Sequence, residues 1–192
     1  MRIITGSARG TKLQTLEGLD TRPTIERVKE ALFSMIQFEL DGARVLDLFG
    51  GSGQLGLEAL SRGAASATFV DSNLQAVNII KENAKKTKLF SRCVVLGTDY
   101  KAYIRGNSGK TQFDVIFLDP PYAAKLVEDA AQRLLRADMV APGALMVCES
   151  DDPDPIEVPG MTLRRHAAYG KVYITLLERK NREEDEDEEA SQ

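Results

Sequence analysis

The sequence predicts an α/β fold: a twisted, mostly parallel seven-stranded sheet with helices on both faces, a C-terminal antiparallel hairpin and a small N-terminal β-hairpin. Three observations carry this expectation. Short apolar runs alternate with segments whose apolar residues recur at helical spacing. One run, Val45-Leu46-Asp47-Leu48-Phe49, leads directly into the glycine-rich stretch Gly50-Gly51-Ser52-Gly53-Gln54-Leu55-Gly56. Another, Phe113-Asp114-Val115-Ile116-Phe117-Leu118, stops at Asp119-Pro120-Pro121-Tyr122, as a buried parallel strand does when it breaks into a rigid loop.

Taken in order, Arg2-Ile3-Ile4 and Lys12-Leu13-Gln14-Thr15-Leu16 read as two short strands around the glycine-bounded turn Gly6-Ser7-Ala8-Arg9-Gly10. Arg2, Arg9 and Lys12 meet no acidic residue before Glu17, so this basic arm has the charge to lie on phosphates, although charge alone slightly favours a solvated hairpin. A helix begins at Pro23 or Thr24, with Ile25, Val28, Leu32 and Ile36 as its apolar stripe and Met35 and Phe38 widening it. Arg27 and Lys29 fall off the stripe and read as solvated surface.

The strand at 45–49 opens the main sheet, and the following helix runs through Ser61 with Gly63 able to cap it. Gly51, Gly53 and Gly56 have the spacing at which a ligand approaches the backbone and a helix packs closely on a strand. Ala67-Thr68-Phe69-Val70-Asp71 is a second strand ending in a carboxylate 20 residues after Gly51, placed for a ribose diol. A helix over 74–86, a third strand at 93–96 ending near Asp99, and a short helix around Tyr103 follow. After the strand that bears Asp119 come a helix through Leu135, a fifth strand at 144–148, a loop over 151–159, and a hairpin of 163–168 with 172–177.

The loop at Asp119 offers a carboxylate, the Pro120 carbonyl and the Tyr122 ring within four residues. Two acceptors recognise an amino group, and an aromatic ring stacks on the heterocycle that bears it. The lone His166 has no sequence neighbour that completes a triad or a metal site, and reads as structural or surface.

At 192 residues the chain is long enough for one substantial core and too short for two. The expected divisions are an arm over 1–20, a main domain over 21–182 and an acidic tail over 183–192. With 43% apolar and 28% charged residues, composition is that of a globular protein; no apolar run reaches membrane-span length, and no signal core opens the chain. Cys93 and Cys148 both fall in expected strands, which favours buried reduced thiols and a cytoplasmic home. The net charge of −4 conceals an acidic run of seven, 183–189. Setting those seven aside from the 29 acidic residues leaves 22 against 25 basic ones, so the body stands at +3 and is compatible with a nucleic-acid partner.

Asp119-Pro120-Pro121-Tyr122 resembles the catalytic motif of S-adenosylmethionine-dependent amino methyltransferases, and the order of elements resembles the Rossmann-like class I methyltransferase fold. From Arg2 to about Leu177 the chain resembles the bacterial 16S ribosomal RNA guanine-N2 methyltransferases of the RsmD type. The carriers are Arg2-Ile3-Ile4 with Arg9-Gly10, Thr21-Arg22-Pro23-Thr24 with Glu26-Arg27-Val28, the run from Asp47-Leu48-Phe49 through Gly63-Ala64, and the Asp119 motif. Gly50 and Thr11 depart from the family, which commonly has alanine or serine at the first and a basic residue at the second.

The resemblance implies S-adenosylmethionine as cofactor and 16S rRNA, within an assembling small subunit, as partner, with no metal and no membrane. It implies cofactor binding by Asp47, Phe49, Gly51, Gly53, Asp71 and Asp99. Asp47 would supply negative charge near the ammonium or sulfonium, Asp71 would hold the ribose and Asp99 the adenine. It implies catalysis by Asp119, Pro120 and Tyr122 on the guanine amine, and RNA contacts by Arg2, Arg9, Lys12 and Arg22. Other readings of the same residues are methylation of adenine N6 or a protein glutamine, a nicotinamide-dependent oxidoreductase using the glycine spacing, and a noncatalytic RNA-binding factor. The last two leave the Asp119 motif or the glycine loop without a role.

Overall fold

A computed structural model describes residues 1–16, 23–120 and 124–180 of the chain. Seven strands form one sheet in the order β3-β2-β1-β4-β5-β7-β6. They are β1 (Arg44–Asp47), β2 (Ser66–Asp71), β3 (Cys93–Gly97), β4 (Phe113–Leu118), β5 (Val140–Ser150), β6 (Thr162–Tyr169) and β7 (Val172–Glu178). The first five are parallel, and β7 runs antiparallel to both β5 and β6. The strand order reverses between β1 and β4. In a doubly wound sheet that seam is where a crevice opens at the carboxyl ends.

Among the described residues five helices cover the sheet: α1 (Pro23–Met35), α2 (Gln54–Ser61), α3 (Leu74–Lys86), α4 (Tyr100–Asn107) and α5 (Ala124–Arg136). Because successive strand residues face opposite sides, each central strand feeds two cores. Val45, Phe69, Val115, Phe117, Leu145 and Val147 join Leu32, Phe33, Leu57 and Ile80 on the face of α1, α2 and α3. Leu46, Val70, Ile116, Leu118, Met146 and Cys148 join Ile104, Val127 and Leu134 on the face of α4 and α5. Leu74–Lys86 agrees residue for residue with the expected helix, whereas β5 is several residues longer than expected and carries an irregularity opposite 113–115.

Three local expectations are corrected. The N-terminal segment makes one antiparallel bridge, Arg2 with Lys12, in place of two paired strands. Around that bridge Ile3 N–H donates to the Thr11 carbonyl, Gly10 N–H to that of Ile3 and Leu13 N–H to that of Met1, while the turn between them bonds to α2: Ser7 N–H donates to the Ser61 carbonyl at 2.8 Å, Ala8 N–H to Ser61 Oγ at 2.9 Å, and Ile4 and Thr5 N–H to the Glu58 carboxylate. Gly6, at φ +84°, passes so close to Ser61 that a Cβ would stand 1.8 Å from its carbonyl oxygen. Ile3, Ala8 and Leu13 enter the core.

Lys29 is 3% exposed, with Nζ 2.6 Å from the Arg2 carbonyl and 3.5 Å from Glu58, so it is an interior clamp and not solvated surface. Phe38 is 88% exposed, because the helix ends at Met35 and a 3-10 turn over Gln37–Glu39 carries Phe38 away from the stripe.

His166 is held at Nδ1 by Thr175 Oγ1 and at Nε2 by the Pro153 carbonyl, and its ring stacks on Tyr173 at 5.8 Å. That is a structural histidine. Cys93 and Cys148 are free thiols, and burial pushes both up to about 12. No described helix is long and apolar enough to cross a membrane.

Candidate active site

At the carboxyl end of β1 the chain turns through Gly51 (φ +54°) and Gly53 (φ +76°), the second of which caps α2. L-residues rarely adopt this left-handed backbone, which accounts for the glycines. The loop is tied on every side: Gly50 N–H donates to the Val70 carbonyl (2.9 Å), Gly51 N–H to Asp71 Oδ2 (2.8 Å) and Gly56 N–H to Asp47 Oδ2 (3.1 Å). A Cβ on Gly56 would meet the Phe69 ring at 2.4 Å, so the third glycine lets α2 lie on β2. Gly50, one of the two departures from the family pattern, is filled from the other side, since a Cβ there would stand 2.8 Å from Ile80 Cδ1.

The strand period places four carboxylates at this end of the sheet. Asp47 follows Val45, Asp71 follows Phe69, Asp119 follows Phe117 and Glu149 follows Val147, each two residues beyond a side chain in the same core. Leu118 pairs with Cys148, so Asp119 and Glu149 sit side by side at the next step, while Asp47 lies one layer deeper opposite Phe117. Their burial differs in consequence. Asp47, 2% exposed, is pushed up to about 8 by burial, against the pull of its Gly56 bond and with help from the Asp119 and Asp71 charges. Burial raises Asp119, and it raises Glu149, which the Asp119 charge pushes further.

These groups line a cleft of about 1530 Å³. Its wall includes Phe49, Gly51, Asp71 and Asn73 on one side and Asp99 and Tyr100 beyond them, with Met1 and Leu16 of the N-terminal segment and Tyr169 and Lys171 of the β6–β7 hairpin completing it. Asp71 also accepts from Asn73 N–H at 2.8 Å, so both its oxygens are oriented. Asp99 caps α4 by accepting from Lys101 and Ala102 N–H. Phe49 packs against Tyr100, with ring centroids 5.4 Å apart.

The cleft therefore brings together Asp47, Phe49, Gly51, Asp71, Asp99 and Asp119. Gly53 shapes it from the start of α2, and Pro120 is buried immediately behind Asp119. Tyr122 and Arg22 lie outside the described residues. Among the expected RNA contacts, Arg9 and Lys12 are exposed, and Arg2 is also exposed but has Glu26 at 3.4 Å, an acidic neighbour that sequence order concealed.

The sequence reading missed the cleft residues Glu149 and Gln54, among others. Glu149 lies at the carboxyl end of its strand much as Asp71 and Asp119 do, and ending the expected strand at Cys148 hid it. Gln54 carries no such signal, yet its Oε1 is buried with no hydrogen-bond partner among the described residues and the side chain lines the cleft.

These features test the fit of a cationic, nucleoside-bearing cofactor. A cradle of positive-φ glycines faces an orphaned amide oxygen and carboxylates whose charge burial disfavours, an environment that an ammonium and a sulfonium would relieve. A sheet ordered 3-2-1-4-5-7-6 with β7 reversed, and such a cleft at its β1/β4 seam, define a class I methyltransferase, a class that draws its methyl group from S-adenosylmethionine.

The particular family follows from comparison. The model of the family described as conserved hypothetical protein 95 matches residues 1–178, and the chain belongs to this family, that of ribosomal RNA small subunit methyltransferase D. The protein of that name from Haemophilus influenzae is 35% identical over 180 residues, covering 93% of each chain. Its Escherichia coli K12 counterpart is 33% identical over 181 residues, covering 93% of this chain and 90% of the relative. A solved Escherichia coli structure described as a candidate methyltransferase, yhhF, superposes with a TM-score of 0.85 at 33% identity, covering 95% of this chain and 99% of that one. Family membership removes the oxidoreductase and noncatalytic alternatives.

Proposed function

We propose that this methyltransferase acts on small-subunit ribosomal RNA and transfers its methyl group to the exocyclic N2 amine of a guanine. The observation that carries the reading is the position of Asp119, on the acceptor side of the β1/β4 seam, facing the cleft beside the glycine loop and followed by a buried proline. The named activity of the relatives supports the RNA class.

On this reading Asp47, Phe49, Gly51, Gly53, Asp71 and Asp99 hold S-adenosylmethionine. When bound, it supplies a methyl group on a sulfonium, and the electron pair of the breaking C–S bond stays with sulfur as the N–C bond forms. Asp119 and the Pro120 carbonyl accept hydrogen bonds from the guanine amine. They fix its nitrogen, a weak nucleophile because its lone pair is delocalised, in the attacking orientation. The raised proton affinity of Asp119 suits it to accept the proton that the amine loses. Tyr122 stacks on the extruded base. Arg9 and Lys12, with Arg2 and Arg22, contact phosphates.

Nucleoside mass spectrometry of ribosomal RNA from cells with and without the gene tests the substrate: loss of N2-methylguanosine is expected, and its persistence refutes the reading. Single-turnover transfer to small-subunit particles tests the residues. Asp119→Ala should lose transfer, and Tyr122→Ala should lose the base stacking, worth about 1–3 kcal/mol, while cofactor binding survives. Tyr122→Phe should retain most activity. Near-normal transfer by Asp119→Ala would overturn the catalytic assignment.

A further inference from the structure

Asp119 has a neighbour of the same chemistry that the reaction described above does not use. Glu149 lies next to the last residue of β5 and Asp119 directly follows the last residue of β4, on adjacent parallel strands about 4.8 Å apart, and both side chains line the cleft. The other carboxylates on this face are committed. Asp47 accepts from Gly56 N–H, Asp71 from Gly51 and Asn73 N–H, and Glu58 from Ile4 and Thr5 N–H. Among the described residues no donor reaches either Asp119 or Glu149. Two partly buried carboxylates side by side without donors are costly, and a ligand that brings two adjacent donors relieves the cost.

Guanine brings that pattern. Its N2 amine stands next to N1–H, two donors in a row on one edge of the ring. Adenine presents N1 as a bare acceptor beside its amine, so an acceptor in this second position would meet a lone pair. A side-chain amide has no ring N–H at all.

Resting on the guanine reading above, we propose that Glu149 is the specificity-determining residue of the base pocket, accepting a hydrogen bond from guanine N1–H while Asp119 holds the N2 amine. The mutual repulsion of the two carboxylates, which raises the proton affinity of Glu149, is then relieved only by a base with both donors. A site built around a substrate N–H rejects analogues that lack it, because the protein group is left buried and unpaired.

2-Aminopurine keeps the amine and lacks N1–H together with O6, so comparing the two bases across Glu149 variants isolates the N1–H contact. Small subunits are reconstituted from ligated RNA carrying either guanine or 2-aminopurine at the methylated nucleotide, and single-turnover transfer is measured for the wild type, Glu149→Ala, Glu149→Met and Glu149→Gln, with S-adenosylmethionine affinity measured in parallel. The wild type should prefer guanine by about 10- to 100-fold, the range of a hydrogen bond to a charged group. Glu149→Ala and Glu149→Met should collapse the preference from both sides, slowing transfer to guanine and speeding transfer to 2-aminopurine, whose N1 lone pair no longer faces a carboxylate, at unchanged cofactor affinity. Glu149→Gln should keep most of the guanine rate, because its amide oxygen still accepts, and should speed 2-aminopurine, because its NH2 can donate to N1.

Undiminished preference in the alanine and methionine variants overturns the proposal, as does an equal fall on both bases, which marks a merely structural carboxylate. Absence of N2-methylguanosine from guanine particles treated with the wild type defeats the underlying substrate reading instead, and the two failures are thereby distinguished.

Discussion

Replacing Glu58 with alanine should cost about 3–5 kcal/mol, the usual penalty for stranding one partner of a buried ion pair. Glu58 is fully buried and receives Ile4 N–H at 2.8 Å, Thr5 N–H at 3.0 Å and Arg62 Nε at 2.9 Å, with Lys29 Nζ at 3.5 Å. Burial already lowers the proton affinity of Lys29 despite the opposing pull of Glu58, so losing that nearest anion leaves an ammonium in the interior with one carbonyl for company. Two backbone N–H groups are orphaned as well, each worth about 1–3 kcal/mol when unsatisfied. Domain stabilities run about 5–15 kcal/mol, so the variant should unfold at a much lower urea concentration by far-ultraviolet circular dichroism. The double variant Glu58→Ala with Lys29→Met should recover at least about 1 kcal/mol, because the stranded charge is gone while the orphaned N–H groups remain. A loss under about 1 kcal/mol for Glu58→Ala, or strictly additive effects in the double variant, would refute the idea that this ion pair clamps the N-terminal segment to α2.

Two further outcomes follow from the carboxylates of the cleft. Asp71→Ala should weaken S-adenosylmethionine binding by about 1.5–3 kcal/mol for the lost charge-assisted contact, and by more if the Gly51 N–H it now holds lets the loop drift; Asp71→Asn, which can still accept that N–H, should bind better than Asp71→Ala. Calorimetry showing wild-type affinity in a folded Asp71→Ala protein would remove Asp71 from the site. Asp47, held near 8, keeps its proton in the folded chain at pH values where the unfolded chain has released it. The folded state therefore binds more protons between about pH 4 and 8, and apoprotein stability should fall as pH rises through that window. Asp47→Asn should flatten the fall, and thermal melts across pH that keep the wild-type slope in this variant would show that another group is responsible.

What the sequence made legible depends on how local each cause is. Leu74–Lys86 could be bounded because Asn73 caps it and its apolar period is regular, both readable along the chain. The turn at Gly51 and Gly53 and the carboxylate at Asp71 were legible for the same reason, as their spacing follows from one strand-loop-helix-strand unit. Lys29 was not, since the anion and the carbonyl that bury it come from positions 58 and 2, and a helical wheel of α1 contains neither. The N-terminal segment was legible only in part: its β-like residues do bond across the turn, but they also bond α2 and α3, through contacts such as Gln14 N–H to Asn83 Oδ1, that no local pattern encodes.

The arrangement of acids explains why one cleft can hold a donor and an acceptor without confusing them. Asp71 and Asp99 end elements on the β2–β3 side of the seam, and Asp119 and Glu149 end strands on the β4–β5 side, with Asp47 between them one layer down. On the first side the carboxylates are already oriented by backbone N–H groups, Asp71 by Gly51 and Asn73 and Asp99 by Lys101 and Ala102, so they offer fixed lone pairs to hydroxyls and amines of one shape. On the second side no described donor orients them, so their geometry is completed by whatever base enters. On the proposed reading, binding the cofactor then needs little rearrangement, whereas the acceptor half would be assembled only by a substrate with the matching donors. Such an order of events predicts that S-adenosylmethionine binds the free protein with its full affinity and that the RNA base is selected at the second step. On the proposed assignment, filling the β2–β3 half first would also place a cation beside Asp47, which would lower the proton affinity that burial has raised there and let the deeper carboxylate carry its charge during methyl transfer.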